Sequence, residues 1–189
     1  MEGGRFGGEL GRVRTAIWTI VWFALSGIAW GQGRVHLYED DRMMWRDMVA
    51  HVDQGLVRMG CDWRGEVAFT LLDDGMWDET KVFQGFSTST LDLALTVRED
   101  RVYLGDSQFT DAILYTVRDG QVFRGDSTFP LDVLYTIREE ATLVGSKPGV
   151  PTFGVYKEDS MAWTDRVAVL EGIPSTTELV ALLLASGWL

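Results

Sequence analysis

The sequence predicts an all-β protein, a closed or nearly closed antiparallel barrel of about twelve short strands around a buried hydrophobic C-terminal helix. Three observations support this fold class. Glycines recur at intervals of 20 residues, β-branched and aromatic residues alternate around tight turns between them, and the chain ends in a segment that is apolar on every side. The barrel is therefore expected to be built from hairpin repeats, with the helix filling its interior.

Composition excludes several classes of protein. Of the 189 residues, 46% are hydrophobic, which excludes a disordered chain and is enough for one domain with a core. The single cysteine, Cys61, excludes a disulfide framework and is expected to be a small buried apolar side chain. The net charge is −11, with no run of lysine or arginine, and nucleic acid is therefore not expected as a partner.

The first 31 residues have the pattern of a signal peptide. Three arginines precede an uncharged apolar run from Ala16 to Trp30. A run of about 15 residues is shorter than the roughly 20 that a membrane span needs. Small residues at Ala29 and Gly31 suit a cleavage site that leaves Gln32 as the new N-terminus.

Cleavage after Gly31 predicts an exported protein in the periplasm, the cell envelope or the extracellular space. It removes three arginines and two glutamates, so that the net charge of −11 becomes −12. The alternative is an uncleaved N-terminal anchor, because the uncharged stretch from Thr15 to Gly33 is long enough to span a membrane with tilt. Residues 32–189 are predicted to form a single β-repeat domain in either case.

Residues 81–140 contain three clear copies of a 20-residue unit. The second and third copies, residues 101–120 and 121–140, are identical at nine of 20 positions. More eroded copies lie on both sides, which gives about six units in all. The glycines that mark the frame are Gly85, Gly105, Gly125 and Gly145, and serines follow the first three at Ser87, Ser107 and Ser127.

Each clear unit predicts two strands joined by a tight turn. Asp119-Gly120 is typical of a type I′ turn, in which both central residues need a positive φ. Such a turn places Val117 opposite Val122 on the next strand. Six units give about twelve antiparallel strands, and closure of the sheet removes its two exposed edges.

Alternation along one strand predicts that Ile113, Tyr115 and Val117 share a face of the sheet. Apolar residues occur on both faces of these strands, and the pattern leaves open which face lines the barrel. It also leaves open whether residues 32–56 belong to the barrel.

The C-terminal segment predicts a buried helix over residues 175–188. Ser175 and Glu178 form a capping box, and the following run from Leu179 to Ala185 is apolar on every side. Such a helix is buried all round or lies in a membrane, and about 14 residues give roughly 21 Å, too short for a bilayer. A helix inside a barrel satisfies both requirements.

The repeated blocks L-Y-T-[VI]-R and G-D-S, together with this helix, resemble the small bacterial β-flower proteins, and the architecture is similar to that of Tubby C-terminal-like barrels. The resemblance covers about Val57 to Leu189. Tubby-like lipid binding uses a basic pocket that this acidic chain does not display. The resemblance therefore implies the fold and assigns no functional residue.

Two recurring sets are the candidate ligand-binding residues. Arg98, Arg118 and Arg138 occupy one repeat position and form a predicted partial ring near a rim, suited to a carboxylate or phosphate. Tyr103 and Phe123 recur at another position and form a predicted aromatic stripe. The alternatives are ion pairs with the acids that follow the arginines, and cross-strand packing of the aromatics on threonines.

Two recurring aspartates are the residues that suggest a metal site. Asp106 and Asp126 recur and are the only candidates for a cation site, with local side-chain to backbone hydrogen bonds as the alternative. His36 and His51 are the only histidines, and zinc is not expected without further ligands. We expect no cofactor.

Paired carboxylates suggest a hydrolase as one alternative, because acid–base catalysis uses two carboxyl groups. Turn formation explains most of them equally well, since three pairs fall at predicted hairpin turns. The four pairs are Asp40-Asp41, Asp73-Asp74, Glu99-Asp100 and Glu139-Glu140.

The sequence favours an exported, non-enzymatic binding or scaffold module of the cell envelope, whose partner is an unknown protein or small ligand. The first alternative is a membrane-associated module with an uncleaved N-terminal anchor or a lipid-binding rim. The second is a hydrolase that uses turn carboxylates such as Asp73 and Asp74.

Overall fold

The structure is a computed structural model that describes residues 34–39, 42–75, 79–140, 147–160 and 162–189. Within these residues, twelve antiparallel strands close into one barrel, which confirms the predicted fold class. The elements are β1 (Val35–Tyr38), β2 (Met48–Asp53), β3 (Leu56–Met59), β4 (Val67–Asp73), β5 (Glu79–Gln84), β6 (Leu93–Arg98), β7 (Arg101–Leu104), β8 (Ile113–Arg118), β9 (Gln121–Arg124), β10 (Val133–Glu139), β11 (Thr152–Lys157), β12 (Arg166–Glu171) and the helix α1 (Thr176–Ala185). Residues 1–31, where the signal peptide is predicted, lie outside the described part.

Each strand pairs with its neighbours in sequence, and β1 also pairs with β12 to close the barrel. The segment that contains β1 and β2 is thus part of the barrel. Because the strands alternate in direction, the loops fall at two ends. We call these the hairpin end, where β2–β3, β4–β5, β6–β7, β8–β9 and β10–β11 turn, and the connection end. The six connections there are residues 39–47, 60–66, 85–92, 105–112, 125–132 and 158–165, of which residues 40, 41 and 161 lie outside the described part.

The predicted hairpin register is confirmed. Val117 lies opposite Val122, and Asp119 and Gly120 have φ values of 53° and 75°. Both central residues of the turn thus adopt the positive φ that a type I′ turn requires.

The expectation that Ile113, Tyr115 and Val117 share a face is wrong for Ile113. The pairing of β7 with β8 skips Leu114, since Val102 lies opposite Tyr115 while Tyr103 lies opposite Ile113. This β-bulge moves Ile113 to the other face. The same shift recurs where β1 meets β2 and at the β3–β4, β5–β6, β9–β10 and β11–β12 pairs.

The barrel interior is lined by one valine or another apolar residue from each repeat. Val82, Val102 and Val122 are fully buried in the same cluster as the helix residues. Their neighbours Phe83 and Tyr103 point to the outer wall and are buried as well. Both faces are apolar for this reason, which is why alternation alone did not identify the interior.

Helix α1 fills the interior. The Ser175 hydroxyl accepts a hydrogen bond from the Glu178 amide at 3.2 Å, and the Glu178 carboxylate accepts one from the Ser175 amide at 2.8 Å, so that the capping box is confirmed. The helix packs against β2, β3, β4 and β5. It ends at Ala185, before the predicted end at Trp188, because the chain turns at Gly187 with a φ of 75°.

Candidate functional site

Arg98 and Tyr103 are brought together on the outer wall. The Arg98 Nε donates to Glu79 Oε2 at 2.6 Å, and its guanidinium carbon lies 5.2 Å from the centre of the Tyr103 ring. Its Nη1 donates to the carbonyl of Ser107 at 2.6 Å. With Gln108 these side chains line an open concavity of about 490 Å³.

The other two candidate arginines share this register on the outer wall but lie on separate hairpins. Arg118 forms an ion pair with Asp100. Arg138 lies opposite Gly154 of β11 and is half-buried. The three arginines thus follow the outer wall near the hairpin end, and each has its own surroundings.

The contact between Arg98 and Ser107 shows that a connection folds back along the outer wall. Three repeat-related contacts have the same effect. Lys81 pairs with Asp106 at 3.6 Å, Arg101 with Asp126 at 3.0 Å, and Gln121 donates to Asp159 at 2.8 Å. In each case the first residue lies near the start of the second strand of a hairpin. Its partner lies in the connection that comes after the next hairpin along the chain. We call the six connections, taken together, the collar.

The collar gives the two candidate cation ligands another role. Asp106 pairs with Lys81 and also lies 3.5 Å from Arg98, and Asp126 pairs with Arg101. Among the described residues, no three His, Cys, Asp or Glu side chains are grouped so that they can hold a metal ion.

The candidate aromatic residues lie underneath the collar. Phe123 is 5% exposed and lies opposite Thr116, as cross-strand packing requires. Tyr103 is buried in the same way opposite Thr96. The bulge places Ile113 beside Tyr103, and so the outer wall has a second apolar layer that the collar covers.

The outer surface of the collar carries large apolar side chains that are 68–98% exposed. Every connection contributes at least one, namely Trp45, Trp63, Phe86, Leu91, Phe109, Phe129, Leu131 and Trp163. Sequence reasoning missed this set. The available signal was that Phe109 and Phe129 occupy the same position of adjacent repeats, two residues after the G-D-S block.

The last four connections are strongly acidic. Residues 85–92, 105–112, 125–132 and 158–165 contain eight acids and no lysine or arginine. We call these four connections the acidic half of the collar. The two remaining connections, residues 39–47 and 60–66, contain Arg42, Arg46 and Arg64 as well as acids.

A buried polar cluster lies at the seam between β12 and β1. Glu171 is 3% exposed and accepts hydrogen bonds from His36 Nδ1 at 2.9 Å, Tyr38 at 3.1 Å and Lys147 at 3.2 Å. Burial by itself raises the pKa of Glu171, but the bonds from His36, Lys147 and Tyr38 outweigh it and lower that pKa below its ordinary value. Burial lowers the pKa of His36 and raises that of Tyr38.

His51 lies beside this cluster, with its ring 6.2 Å from that of His36. Its Nδ1 donates to the carbonyl of Gly60 at 2.8 Å. In a later repeat Thr116 makes the equivalent bond to Gly125, also at 2.8 Å. His51 thus takes the structural place of a threonine. Cys61, expected to be buried, is exposed.

The paired carboxylates lie at the hairpin end, apart from Asp40-Asp41, which lies outside the described residues. Asp73 accepts a bond from the Gly75 amide at 2.9 Å within its own turn. Asp100 pairs with Arg118. Glu140 is held by the Tyr156 hydroxyl and by Arg166 at 2.7 Å.

The described residues contain no helix that is long and apolar enough to cross a membrane. They define a class of protein in which six antiparallel strand pairs, five of them hairpins and the sixth the closing pair of β12 with β1, surround one helix. The chain matches the family described as 6-fold beta flower protein over residues 37–149, and it belongs to that family. This match confirms the predicted resemblance to β-flower proteins. The matched region begins at residue 37, nearer the N-terminus than the predicted start at Val57.

No curated protein matches the chain. The X-ray structure of a protein from Arabidopsis thaliana aligns with a TM-score of 0.41 and 18% sequence identity, over 80% of this chain and 86% of that chain. The relationship to Tubby C-terminal-like proteins stays a prediction.

Proposed function

We propose that the protein is an exported, non-enzymatic binding module of the cell envelope that docks through the exposed apolar side chains of the collar. The observation that carries the proposal is that all six connections expose a large apolar side chain. Apolar groups exposed together on a folded surface are typical of interaction sites, because water contact costs free energy that a partner relieves.

The position of the helix supports docking on the outer surface. Leu182 and Leu183 of α1 are fully buried inside the barrel and fill the space that a ligand-binding barrel leaves open. The aromatic side chains under the collar, Tyr103 and Phe123, are only 9% and 5% exposed. The collar itself presents Phe109 and Phe129 to solvent.

Export rests on the N-terminal sequence. Mass spectrometry of the protein purified from its native cell tests it, and a mature chain that begins at Gln32 is expected. An intact N-terminus recovered with the membrane would instead support the uncleaved anchor.

A membrane-associated module is the alternative that one observation favours. Three of the exposed collar side chains are tryptophans, Trp45, Trp63 and Trp163, and tryptophan is enriched where proteins meet the lipid interface. The proposed kinship to Tubby C-terminal-like barrels rests on the shared plan of a hairpin barrel around a helix and adds no lipid site here. The acidic charge of the collar opposes contact with anionic lipids.

Retention of envelope components on the immobilised protein tests the proposed function. Phe109→Ser with Phe129→Ser removes two exposed rings of the collar, and Leu72→Ser with Ile173→Ser is the matched control, since both of its residues are exposed outside the collar. We expect the first variant to lose a component that the native protein and the control retain in stoichiometric amount. Equal retention by all three proteins would contradict docking through the collar.

A further inference from the structure

We propose that the acidic half of the collar binds a cationic amphipathic helix of a partner protein. This inference rests on the proposed function, and it adds the charge and the shape of the partner. Two properties of the acidic half support the inference, namely its charge and the spacing of its exposed apolar side chains. The charge also disfavours the other possible partners.

The charge is only partly neutralised within the protein. Asp106 and Asp126 pair with basic side chains. Asp92, Asp132 and Asp165 instead accept hydrogen bonds from the hydroxyls of Ser87, Ser127 and Ser160, and hydroxyls leave the negative charge in place. Lysines and arginines of a partner complement such carboxylates and accelerate association.

The spacing of the apolar side chains suits a helix. Phe109 and Phe129 hold the same repeat position on neighbouring connections, and the strands from which these connections start are two strands apart, or roughly 10 Å at the usual strand separation. Side chains seven residues apart on a helix are separated by about 10.5 Å. A helix that lies across the collar can therefore place successive side chains of one face on Phe109 and Phe129, with Leu131 beside them.

Charge also separates this partner from other occupants. The acids of the collar repel a bilayer that contains anionic lipid. They repel a nucleic acid for the same reason. They also oppose a second copy of a chain whose net charge is −11. A helix with apolar residues on one face and basic residues on the other satisfies both the rings and the carboxylates.

The test uses the purified protein and three synthetic peptides of about 20 residues, a length at which a lone helix is marginal. The first peptide places leucines on one helical face and lysines elsewhere. The second has the same composition in an order that destroys the face, and the third replaces each lysine by glutamate. Fluorescence anisotropy measures binding, and far-UV circular dichroism measures the helix that the peptide gains on binding.

We expect the first peptide to bind and become helical, and both others to bind at least about tenfold more weakly. Phe109→Ser with Phe129→Ser weakens that binding by about tenfold or more, as removal of central aromatic contacts does. Trp45→Ser with Trp63→Ser, which lie outside the acidic half, leaves it within about twofold. Asp111→Asn with Glu158→Gln lowers its salt dependence, because both side chains are exposed acids of this surface.

Equal binding of the ordered and reordered peptides would overturn the inference, because charge alone would then explain the affinity. Equal binding to the native protein and to the Phe109→Ser, Phe129→Ser variant would also overturn it. Vesicles of pure phosphatidylcholine are the last arm, and binding to them without binding to the peptide would make the membrane the occupant. If the peptide fails while envelope retention still depends on Phe109 and Phe129, this inference falls and the proposed function stands.

Discussion

The Nδ1 of His36 donates a hydrogen bond to the carboxylate of Glu171 at 2.9 Å, across the seam where the first and last strands meet. The two residues are 135 positions apart in the sequence. Tyr38 and Lys147 donate to the same carboxylate, which is buried. Among the described strands, the pairing of β1 with β12 is the one that joins distant parts of the chain, and we expect the titratable groups at this seam to make its strength depend on pH.

Acid is expected to weaken the fold through this seam. Burial lowers the pKa of His36 below its ordinary 6.5, so that the unfolded chain takes up a proton before the folded chain does, and stability falls as the pH drops below about 6.5. The pKa of Glu171 is also lowered, from an ordinary 4.5, and its contribution is lost at still lower pH. Urea unfolding at a series of pH values measures how the free energy of unfolding changes with pH. One such group changes it by at most about 1.4 kcal/mol per pH unit.

His36→Gln isolates the first contribution. A glutamine amide still donates to Glu171. Glutamine also occurs at the equivalent position of a later repeat, where Gln121 lies opposite Arg118. We expect the variant to lose part of the pH dependence just below 6.5 and to keep the part below 4.5. Identical slopes for the variant and the native protein in both ranges would show that His36 does not set the response.

Leu182→Ala tests whether the helix is the core of the barrel. Leu182 is 0% exposed, and truncation of a buried leucine costs about 2–5 kcal/mol of the free energy of unfolding. Leu131→Ala removes the same atoms from a side chain that is 98% exposed and is expected to change stability by less than about 0.5 kcal/mol. Urea midpoints give both values, and similar losses for the two variants would contradict a helix-filled barrel.

Gly120→Ala tests the tight turn against a matched glycine. Both Gly120 and Gly105 have positive φ, 75° and 58°, so that alanine at either costs about 1–2 kcal/mol of backbone strain. A methyl group on Gly120 also falls 2.8 Å from the carbonyl oxygen of Ile137, whereas nothing lies within 4 Å at Gly105. Thermal unfolding should show a larger loss for Gly120→Ala. An equal loss would mean that the neighbouring strand moves away without cost.

Local sequence signals predicted much of the fold. The Asp119-Gly120 pair determines its own turn, and the register that places Val117 opposite Val122 follows from that turn. The capping box at Ser175 is local in the same way. The bulge beside Leu114 carries no local signal, since Ile113 and Tyr115 alternate normally in sequence and only their pairing with β7 separates them.

The candidate site was harder to predict because it depends on contacts between distant parts of the chain. Whether Phe109 is buried or exposed depends on how its connection folds against the outer wall, and the ion pair of Lys81 with Asp106 that holds this connection spans neighbouring repeats. Glu171 resembles any acid at the end of a strand until β1 closes against it. The repeat pattern thus predicted the strands and turns. Contacts between repeats, which the pattern does not show, determine which side chains of the collar are exposed.

Photocrosslinking in living cells, with p-benzoylphenylalanine in place of Phe129, reports whether a partner contacts the collar. The same group in place of Leu72, which is exposed outside the collar, is the control. Docking through the collar predicts one discrete crosslinked product from position 129 and none from position 72. No product at either position, or the same products at both, would contradict it.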